Sequence, residues 1–337
     1  MKILVYTDCH WSTTSSIVRE RGEVYSLRLE NLIKSVNWAE KLSIEREANL
    51  VVCCGDFFDK STISSEELTA LTEVEWNKDI NHVMLVGNHE MWSNNLKLSS
   101  VNIFRFLGFF VADSPYTEKT KFGELCFIPY VDSTKSITDY VSAEYDGKRI
   151  VFSHNDISGI QMGKFVSKNG FSIPDIESCC DLYVNGHLHN GEKVSDKIIN
   201  VGNLTGQNFG ENAFVYKHGV LIIDTDTLEC EFVENPFALN FYKMKYESFP
   251  CVNDNIVNGV VTVYCKEDSL SLCKDELENS KNIVSFKIVP EREKQETVNN
   301  SIEKIRADDH LEQFRTYIAS ELGLSDVVKQ ELSEVCK

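Results

Sequence analysis

The chain has 337 residues, 42% of them apolar and 26% charged, which is ordinary for a globular protein and indicates no extensive disorder. Its 34 Lys and Arg against 52 Asp and Glu give a net charge of −18, spread along the sequence. That balance disfavours a stand-alone protein that holds DNA by broad phosphate neutralisation, because such binding uses clustered basic residues.

The sequence shows no feature of a secreted or membrane protein. No apolar run approaches transmembrane length, and the opening apolar residues are too few for the core of a signal peptide. The eleven cysteines show no C-x-x-C spacing, which favours reduced thiols over a disulfide framework. We therefore expect a cytoplasmic protein that is not attached to a membrane.

Strand-like and helical patterns alternate over residues 1–235, as in a layered α/β sheet. The spacing of apolar residues predicts a helix over 26–46 and a second helix after Ser64 and Ser65 that continues through Trp76. The strand-like runs that matter most are 3–6, 50–54, 83–86, 150–152 and 182–184. We expect the short runs after His189, at 197–201, 213–216, 220–224 and 230–233, to complete a sheet as antiparallel strands.

The rest of the chain divides into smaller units. Residues 259–266, 268–279 and 283–289 predict strand, helix and strand, and 290–300 is a polar linker candidate. Two amphipathic helices are expected beyond it, and their apolar stripes can pack on their own domain or dock on a partner helix. The predicted domains are 1–236, 237–290 and 291–337.

Metal-ligand residue types cluster where the strand-like runs end. The five motifs hold five of the eight histidines. Because the carboxyl ends of strands in an open α/β sheet converge on one crevice, motifs far apart in sequence can share one site. The motifs are Asp8-Cys9-His10, Gly55-Asp56, Gly87-Asn88-His89-Glu90, His154 and Gly186-His187-Leu188-His189.

These residue types suit phosphodiester cleavage by two cations about 3.5–4 Å apart, which requires one bridging carboxylate. We predict that Asp56 is this bridge, and Asn88 offers a neutral carbonyl ligand. Asp8 and His10 are two apart on an extended segment and can chelate one metal, and His187 and His189 share that spacing. Carboxylate, amide and imidazole ligands are compatible with Mn²⁺, Fe²⁺ or catalytic Zn²⁺.

The other histidines fall into two groups. His89 follows the candidate ligand Asn88 directly and is placed to protonate the leaving group or contact the phosphate. His82, His218 and His310 lie outside the pattern and are expected to be structural. The chain also lacks the G-x-x-x-x-G-K-[ST] motif, so it is not itself a P-loop ATPase.

The ordered set D-x-H, G-D, G-N-H-E, H and G-H-x-H resembles the calcineurin-like metallophosphoesterases. The resemblance implies a four-layer α/β fold in which mixed sheets are flanked by helices. It also implies two divalent metal ions, for which Mn²⁺ is favoured while Fe²⁺ and Zn²⁺ stay open. Metal one would take Asp8, His10, Asp56 and His189, and metal two would take Asp56, Asn88, His154 and His187.

The segment 201–211, which reads VGNLTGQNFGE, resembles the corresponding segment of SbcD-type recombination nucleases. That resemblance implies DNA as the substrate, a small α/β cap domain that helps position it, and terminal helices that clasp the coiled coil of an SbcC-like ABC-type ATPase. The compact length is similar to that of phage versions. Homodimer formation stays open.

Some residues depart from the SbcD pattern. Ser153 stands where many members have Gly, Glu90 stands where they usually have Asp, and Asp59 occupies a position where some relatives have a second catalytic histidine. Protein phosphatases carry Arg after the second-block Asp, whereas Lys60 and Ser61 follow Asp59 here. Two alternatives remain: a small-molecule or cyclic-nucleotide phosphodiesterase or phosphatase, and a weakly catalytic subunit that bridges an ATPase to DNA.

Overall fold

The computed structural model describes residues 1–13, 21–131, 134–142, 144–162 and 165–291. Residues 292–337, which hold most of the predicted linker, the predicted terminal helices and His310, lie outside this range. Most strands of the described range belong to two six-stranded sheets and one three-stranded sheet.

The strands follow one another along the chain with many short connections. In chain order they are β1 (Lys2–Tyr6), β2 (Leu50–Cys53), β3 (Asn81–Leu85), β4 (Met91–Trp92), β5 (Asn95–Ser99), β6 (Phe110–Ala112), β7 (Tyr116–Lys119), β8 (Gly123–Ile128), β9 (Lys148–Ser153), β10 (Ile157–Ser158), β11 (Gln161–Met162), β12 (Phe165–Val166), β13 (Phe171–Ser172), β14 (Leu182–Asn185), β15 (Glu192–Lys193), β16 (Ile198–Asn200), β17 (Gly219–Asp224), β18 (Cys230–Glu234), β19 (Asn240–Lys245), β20 (Gly259–Cys265) and β21 (Ile283–Pro290).

The described residues contain fewer helices than strands. The α-helices are α1 (Leu27–Glu45), α2 (Ser65–Leu71), α3 (Ile173–Cys179), α4 (Phe249–Val252) and α5 (Leu270–Asn279). Five 3₁₀ segments complete the set: Ser100–Leu107, Ile137–Asp139, Tyr246–Ser248, Asn253–Asn255 and Glu267–Ser269.

Both large sheets are mixed. The first has the order β18-β17-β1-β2-β3-β6, with β1, β2, β3 and β6 parallel and β17 and β18 antiparallel. The second has the order β15-β16-β14-β9-β8-β7, in which β16, β14, β9 and β8 are parallel and the edge strands are antiparallel.

Alternation along the strands creates the layers. Ile3 and Val5 of β1 pack in one core with Phe152 of β9, so the two sheets face each other. Leu4 and Tyr6 point the other way, into a second core shared with α1 and α2, and α3 covers the outer face of the second sheet. The mixed sheets flanked by helices confirm the predicted fold class.

The predicted first helix is confirmed, and the second is shorter than expected. In α1 the side chain of Ser26 accepts a bond from the Leu29 amide, which caps the first turn. A capping box of Ser64 and Glu67 starts α2, but this helix ends at Leu71. Val74 and Trp76 continue the apolar pattern and still contact the same core, although they lie beyond the helix.

The predicted strand at 213–216 is wrong. The amides of Val215 and Tyr216 both donate to the Asn212 carbonyl at 2.9 Å, and the amide of Phe214 bonds the Asn212 side chain. These bonds close a turn that apolar composition alone does not reveal. Antiparallel pairing holds for β17 and β18. In the second sheet, β16 pairs in parallel with β14 and antiparallel with β15.

The third sheet has the order β19-β20-β21 with parallel pairing. It contains the expected strand, helix and strand in β20, α5 and β21, and adds β19, which the pattern did not predict. Its buried residues form a separate core that includes Phe249, Val261 and Cys273. The domain division at residue 236 stays a prediction.

Two further expectations concern the described residues only. Within them no helix combines the length and apolar character needed to cross a membrane. Ten of the eleven cysteines lie in the described range, and all ten are free thiols there.

Candidate metal centre

Five strands carry their predicted ligands to one edge of the two sheets. Asp8 and His10 follow β1, Asp56 follows β2, and Asn88 follows β3, all from the first sheet. The second sheet supplies the other histidines, after β9 and β14. Three groups of described residues offer one ligand atom per residue within 4.8 Å of one another. Two consist of predicted ligands, Asp8 with His10 and His189, and Asp56 with His154 and His187, and the third joins His10 to Asp59 and His89.

Asp56 lies between the two groups. Its Oδ2 is 3.1 Å from Nε2 of His154 in one group and 3.9 Å from Nε2 of His10 in the other. Its Oδ1 accepts the amide of His89 at 3.0 Å, which fixes the carboxylate. A carboxylate that faces both groups has the placement that a bridging ligand requires.

Four ligand atoms of this centre are buried and have no hydrogen-bond partner. They are Oδ1 of Asp8, Nε2 of His10, Oδ1 of Asn88 and Nε2 of His154. Buried polar atoms are otherwise almost always bonded, because an unsatisfied one costs about 1–3 kcal/mol. All four are lone-pair donors when the histidines are neutral, so the donor set fits divalent cations.

A protein acceptor holds the second ring nitrogen of three histidines. Nδ1 of His10 lies 3.2 Å from Asp59, Nδ1 of His189 lies 2.8 Å from Glu211, and Nδ1 of His154 bonds the Cys54 carbonyl. Each contact keeps the proton on Nδ1 and leaves Nε2 free for a metal.

Backbone strain is concentrated at the same positions. Asp8, His10, Asp56 and His187 have φ of 51°, 47°, 49° and 73°, a region that side-chain-bearing residues rarely adopt. Four of the nine such non-glycine residues in the described range are therefore predicted ligands. Strain of this kind persists where the surrounding structure holds a functional geometry.

The loops after β1 and β2 run side by side. The amides of Asp8 and His10 donate to the carbonyls of Gly55 and Asp56 at 3.1 and 3.0 Å, so the ligand loops continue the pairing of the strands. Gly87 packs directly on Asp56, and a Cβ at this position would come within 2.1 Å of Oδ1. Only glycine leaves room for the bridging carboxylate.

Opposite charges stabilise each other in this buried centre. Burial alone would lower the pKa of His10, but the neighbouring carboxylates of Asp59 and Asp8 outweigh it and raise the pKa to about 10. Burial would also lower the pKa of His154, but the negative charge of Asp56 outweighs burial and raises this pKa to about 9. Burial raises the pKa of Asp8, yet His10 and the nearby histidines His154 and His189 bring it down to about 2.

His89 lies at the accessible side of the centre, with 43% of its side chain exposed. Nδ1 contacts the Asp59 carbonyl at 3.2 Å, and the imidazole ring stands edge-on to that of His10 with centroids 4.6 Å apart. The carbonyl can only accept, so Nδ1 carries a proton and Nε2 is left for another partner. This placement is compatible with its predicted role at the leaving group.

Some contributing residues were not predicted. Glu90 is buried and accepts the amides of Gly87 and Phe58 at 2.8 and 2.9 Å, which ties two ligand loops together. Asp156 lies 3.3 Å from Nε2 of His187. Glu211 reaches the centre through its contact with His189, and it also accepts the Gln207 amide at 2.7 Å. Its one sequence signal is the segment 201–211.

The described histidines that were predicted to be structural, His82 and His218, belong to none of the metal groups. His82 pairs with the buried carboxylate of Glu40 at 3.1 Å and stacks on Phe109 with centroids 4.2 Å apart. His218 is buried and its ring nitrogens have no partner.

Comparisons with known proteins agree with this geometry. The chain matches the family described as calcineurin-like phosphoesterase over residues 1–204. It is 26% identical over 137 residues to a protein of Invertebrate iridescent virus 3 named as phosphoesterase 078R. That match covers 38% of this chain and 39% of the viral protein, so the chain spans well under two thirds of the relative.

Two solved structures are similar at low identity. An archaeal phosphodiesterase is 15% identical, with a TM-score of 0.36, covering 69% of this chain and 99% of that one. A dimetal phosphatase from Danio rerio is 13% identical, with a TM-score of 0.40, covering 66% and 91%. The family match spans more than half of the sequence and contains all eight predicted site residues and all the loops described above except that of Glu211. The chain belongs to the calcineurin-like phosphoesterase family.

Proposed function

We propose that the chain is a two-metal DNA nuclease, the SbcD-like subunit of an SbcC-SbcD-type complex. The observation that carries the two-metal site is the set of four buried, unpartnered ligand atoms arranged about Asp56. The nuclease assignment goes further and rests on the resemblance of segment 201–211 to SbcD-type nucleases.

The residues divide the work as follows. Asp8, His10, Asp56 and His189 would hold one ion, and Asp56, Asn88, His154 and His187 would hold the other, with Mn²⁺ favoured. When bound, such ions supply an activated water and neutralise charge on the phosphate. His89 would then contact the leaving oxygen through Nε2, because its Nδ1 is held by the Asp59 carbonyl.

Two features support DNA as the substrate. Glu211, at the end of the SbcD-like segment, bonds the predicted ligand His189, which places that segment at the metal centre. We assign the three-stranded sheet that follows it to the predicted cap domain. Because the net charge is −18, we propose that DNA is delivered by an ATPase partner that binds within residues 291–337.

The substrate class is tested with the full-length protein and Mn²⁺ on linear duplex DNA, single-stranded DNA and bis-p-nitrophenyl phosphate. We expect cleavage of DNA that a chelator abolishes. Hydrolysis of the small ester without any DNA cleavage, with or without a coiled-coil ATPase, would reject the nuclease assignment and keep the phosphoesterase site.

The role of His89 is tested by His89→Ala. We expect loss of cleavage with unchanged Mn²⁺ content, because His89 is not among the predicted ligands of either ion. Undiminished cleavage by this variant would reject the role. The partner is tested by capture of an SbcC-like ATPase with the full chain and with a chain ending at Glu291, and only the full chain should bind.

The acidity of the chain favours one second candidate, a phosphodiesterase for small molecules or cyclic nucleotides. Such a substrate carries little charge and needs no extended basic surface. The assays above separate the two. A bridging subunit with weak catalysis is less well supported, because all seven predicted ligands are present.

A further inference from the structure

We propose that three buried asparagines, Asn155, Asn185 and Asn200, form a positioning network for the metal-binding histidines of the second sheet. The proposal rests on the two-metal site described above. None of the three was singled out by the sequence motifs, and none is itself a predicted ligand. We call the three residues the asparagine network.

The three residues lie side by side at the carboxyl ends of adjacent parallel strands. Asn185 ends β14 and Asn200 ends β16, and these two residues pair directly in the strand register. Asn155 comes two residues after the end of β9. Their exposures are 3%, 0% and 2% for Asn155, Asn185 and Asn200, so water does not satisfy their amides from the surface.

Asn185 is the centre of the network. Its Nδ2 donates to the Asn155 carbonyl at 2.9 Å, to the Gly186 carbonyl at 2.5 Å and to Oδ1 of Asn200 at 3.3 Å. Its Oδ1 accepts the amide of Asn155 at 3.2 Å. The side chain thus joins the residue after His154 to the residue before His187.

Asn200 holds the loop that carries His189. Its Nδ2 donates to the carbonyls of Leu188 and Asn190 at 2.6 and 2.8 Å, which are the residues on either side of that histidine. Both hydrogens of the amide are used in this way. The imidazole is therefore held from two directions, by Asn200 through the backbone and by Glu211 through Nδ1.

Asn155 fixes the other end. Its Nδ2 donates to the Pro129 carbonyl at 3.0 Å and to Ser153 Oγ at 2.8 Å, while its Oδ1 accepts the Val131 amide at 2.9 Å. Ser153 and Asn155 are the residues on either side of His154 in sequence. The network therefore spans the loops of all three histidines that the second sheet gives to the centre.

Asparagine suits this task because its short amide has two donors and one acceptor in a fixed plane. An apolar replacement would leave buried carbonyls without donors, and the loops would move to reach water or other donors. Ligand-supporting groups of this kind change metal affinity about 10–100-fold when removed.

The test compares Asn200→Ala and Asn155→Ala with the control Asn235→Ala in the full-length protein. Asn235 is also buried and its Nδ2 donates to Ser35 Oγ and the Leu204 carbonyl, both at 2.9 Å, but none of its partners adjoins a predicted ligand in sequence. Mn²⁺ binding is measured by calorimetry, the free energy of unfolding by denaturant titration, and site occupancy by anomalous diffraction.

We expect Asn200→Ala to weaken Mn²⁺ binding about tenfold or more at the site that contains His189, and Asn155→Ala to do so at the site that contains His154. Asn235→Ala should lose similar stability and bind Mn²⁺ as the wild type does. Wild-type binding in both network variants overturns the proposal.

Other outcomes are separable. If Asn200→Ala does not fold, Asn155→Ala alone decides, because its bonds lie outside the strand ladder. A loss of Mn²⁺ affinity in the control equal to that in the network variants also overturns the proposal, since the effect would then follow stability. A wild-type protein that binds no Mn²⁺ rejects the proposed function itself.

Discussion

The predicted ligand histidines differ in the group that accepts a hydrogen bond from Nδ1. His10 and His189 face the carboxylates of Asp59 and Glu211, whereas His154 faces a backbone carbonyl. A carboxylate raises the basicity of the ligand more than a carbonyl does, because it stabilises positive charge on the ring and metal. The carboxylate neighbours should therefore matter for affinity as well as for orientation.

This difference gives the first prediction. Glu211→Gln keeps an oxygen for Nδ1 of His189 but removes the negative charge, so we expect Mn²⁺ to bind about tenfold more weakly. The matched control is Glu229→Gln, at an exposed residue far along the chain from the centre. Calorimetry of both variants checks this, and equal affinities would contradict it.

The second prediction concerns protons. In the protein without ions, the pKa of about 10 for His10 and about 9 for His154 means that both rings are charged at pH 7.5. A metal needs the neutral ring, so binding must displace about two protons and must weaken as the pH falls. Calorimetry in buffers of different ionisation enthalpy measures this release, and binding heats that are independent of the buffer would contradict it.

The site residues that could be predicted are those that directly follow a strand-like run in the sequence. His10, Asp56 and His154 each follow a strand-like run, and that placement sufficed to bring them together. The partners of their second nitrogens carry no such mark, because Glu211 is distant from His189 in sequence and meets it only through folding. The asparagine network has the same property.

At the scale of elements, the strands that lead into the site were predictable because they are short, apolar and β-branched. The five runs differ from the observed strands by no more than two residues at either end. Residues 213–216 fit the same pattern but form a turn, since the amide bonds to Asn212 are local and the ring of Phe214 packs on Tyr242 with centroids 4.8 Å apart. Apolar composition does not distinguish these cases.

The connection after β3 gives the third prediction. Gly87→Ala would place a Cβ within 2.4 Å of the Asp56 amide nitrogen as well as against its carboxylate, so the loop must move. We expect a loss of about 2 kcal/mol in the free energy of unfolding and a loss of Mn²⁺ binding of about a hundredfold.

The control for this prediction is Gly108→Ala. Gly108 has φ of 86°, but a Cβ there would meet no atom within 4 Å. The variant should lose about 1 kcal/mol from backbone strain and bind Mn²⁺ normally. Normal Mn²⁺ binding by Gly87→Ala would show that the close packing of this loop is not needed for the site.

At the scale of the whole molecule, His218 couples folding to pH. Burial lowers the pKa of its ring from 6.5 to about 4, although Glu211 and Asn203 partly oppose this. Between these values the unfolded chain binds the proton and the folded protein does not, so stability rises with pH across this window. The contribution is complete above about pH 6.5 and amounts to about 3 kcal/mol relative to pH below 4.

The fourth prediction follows from this coupling. In denaturant titrations from pH 7 to 4.5, the wild type should lose more stability than His218→Gln, because the variant has no ring to protonate. The comparison is between slopes, so any constant cost of the substitution cancels. Parallel pH dependences of the two proteins would contradict the assignment.

The overall class was predictable from the alternation of strands and helices, but the membership of each sheet was not. Both β1 and β14 are apolar runs that precede ligands, and nothing in their residues states that they belong to opposite sheets. Sheet membership depends on pairing between segments more than 100 residues apart, as for β1 and β17. Local sequence patterns do not contain this information.

Ligands from opposing sheets have a mechanical consequence. Asp8, His10, Asp56 and Asn88 come from the first sheet and the remaining three ligands come from the second, so neither sheet can bind an ion tightly by itself. A bound pair of ions would therefore cross-link the two sheets of the sandwich. At a free metal concentration of 100 times the dissociation constant, each ion would add about 2.7 kcal/mol to the free energy of unfolding. Metal binding would therefore stabilise the fold as well as supply the chemistry of the site.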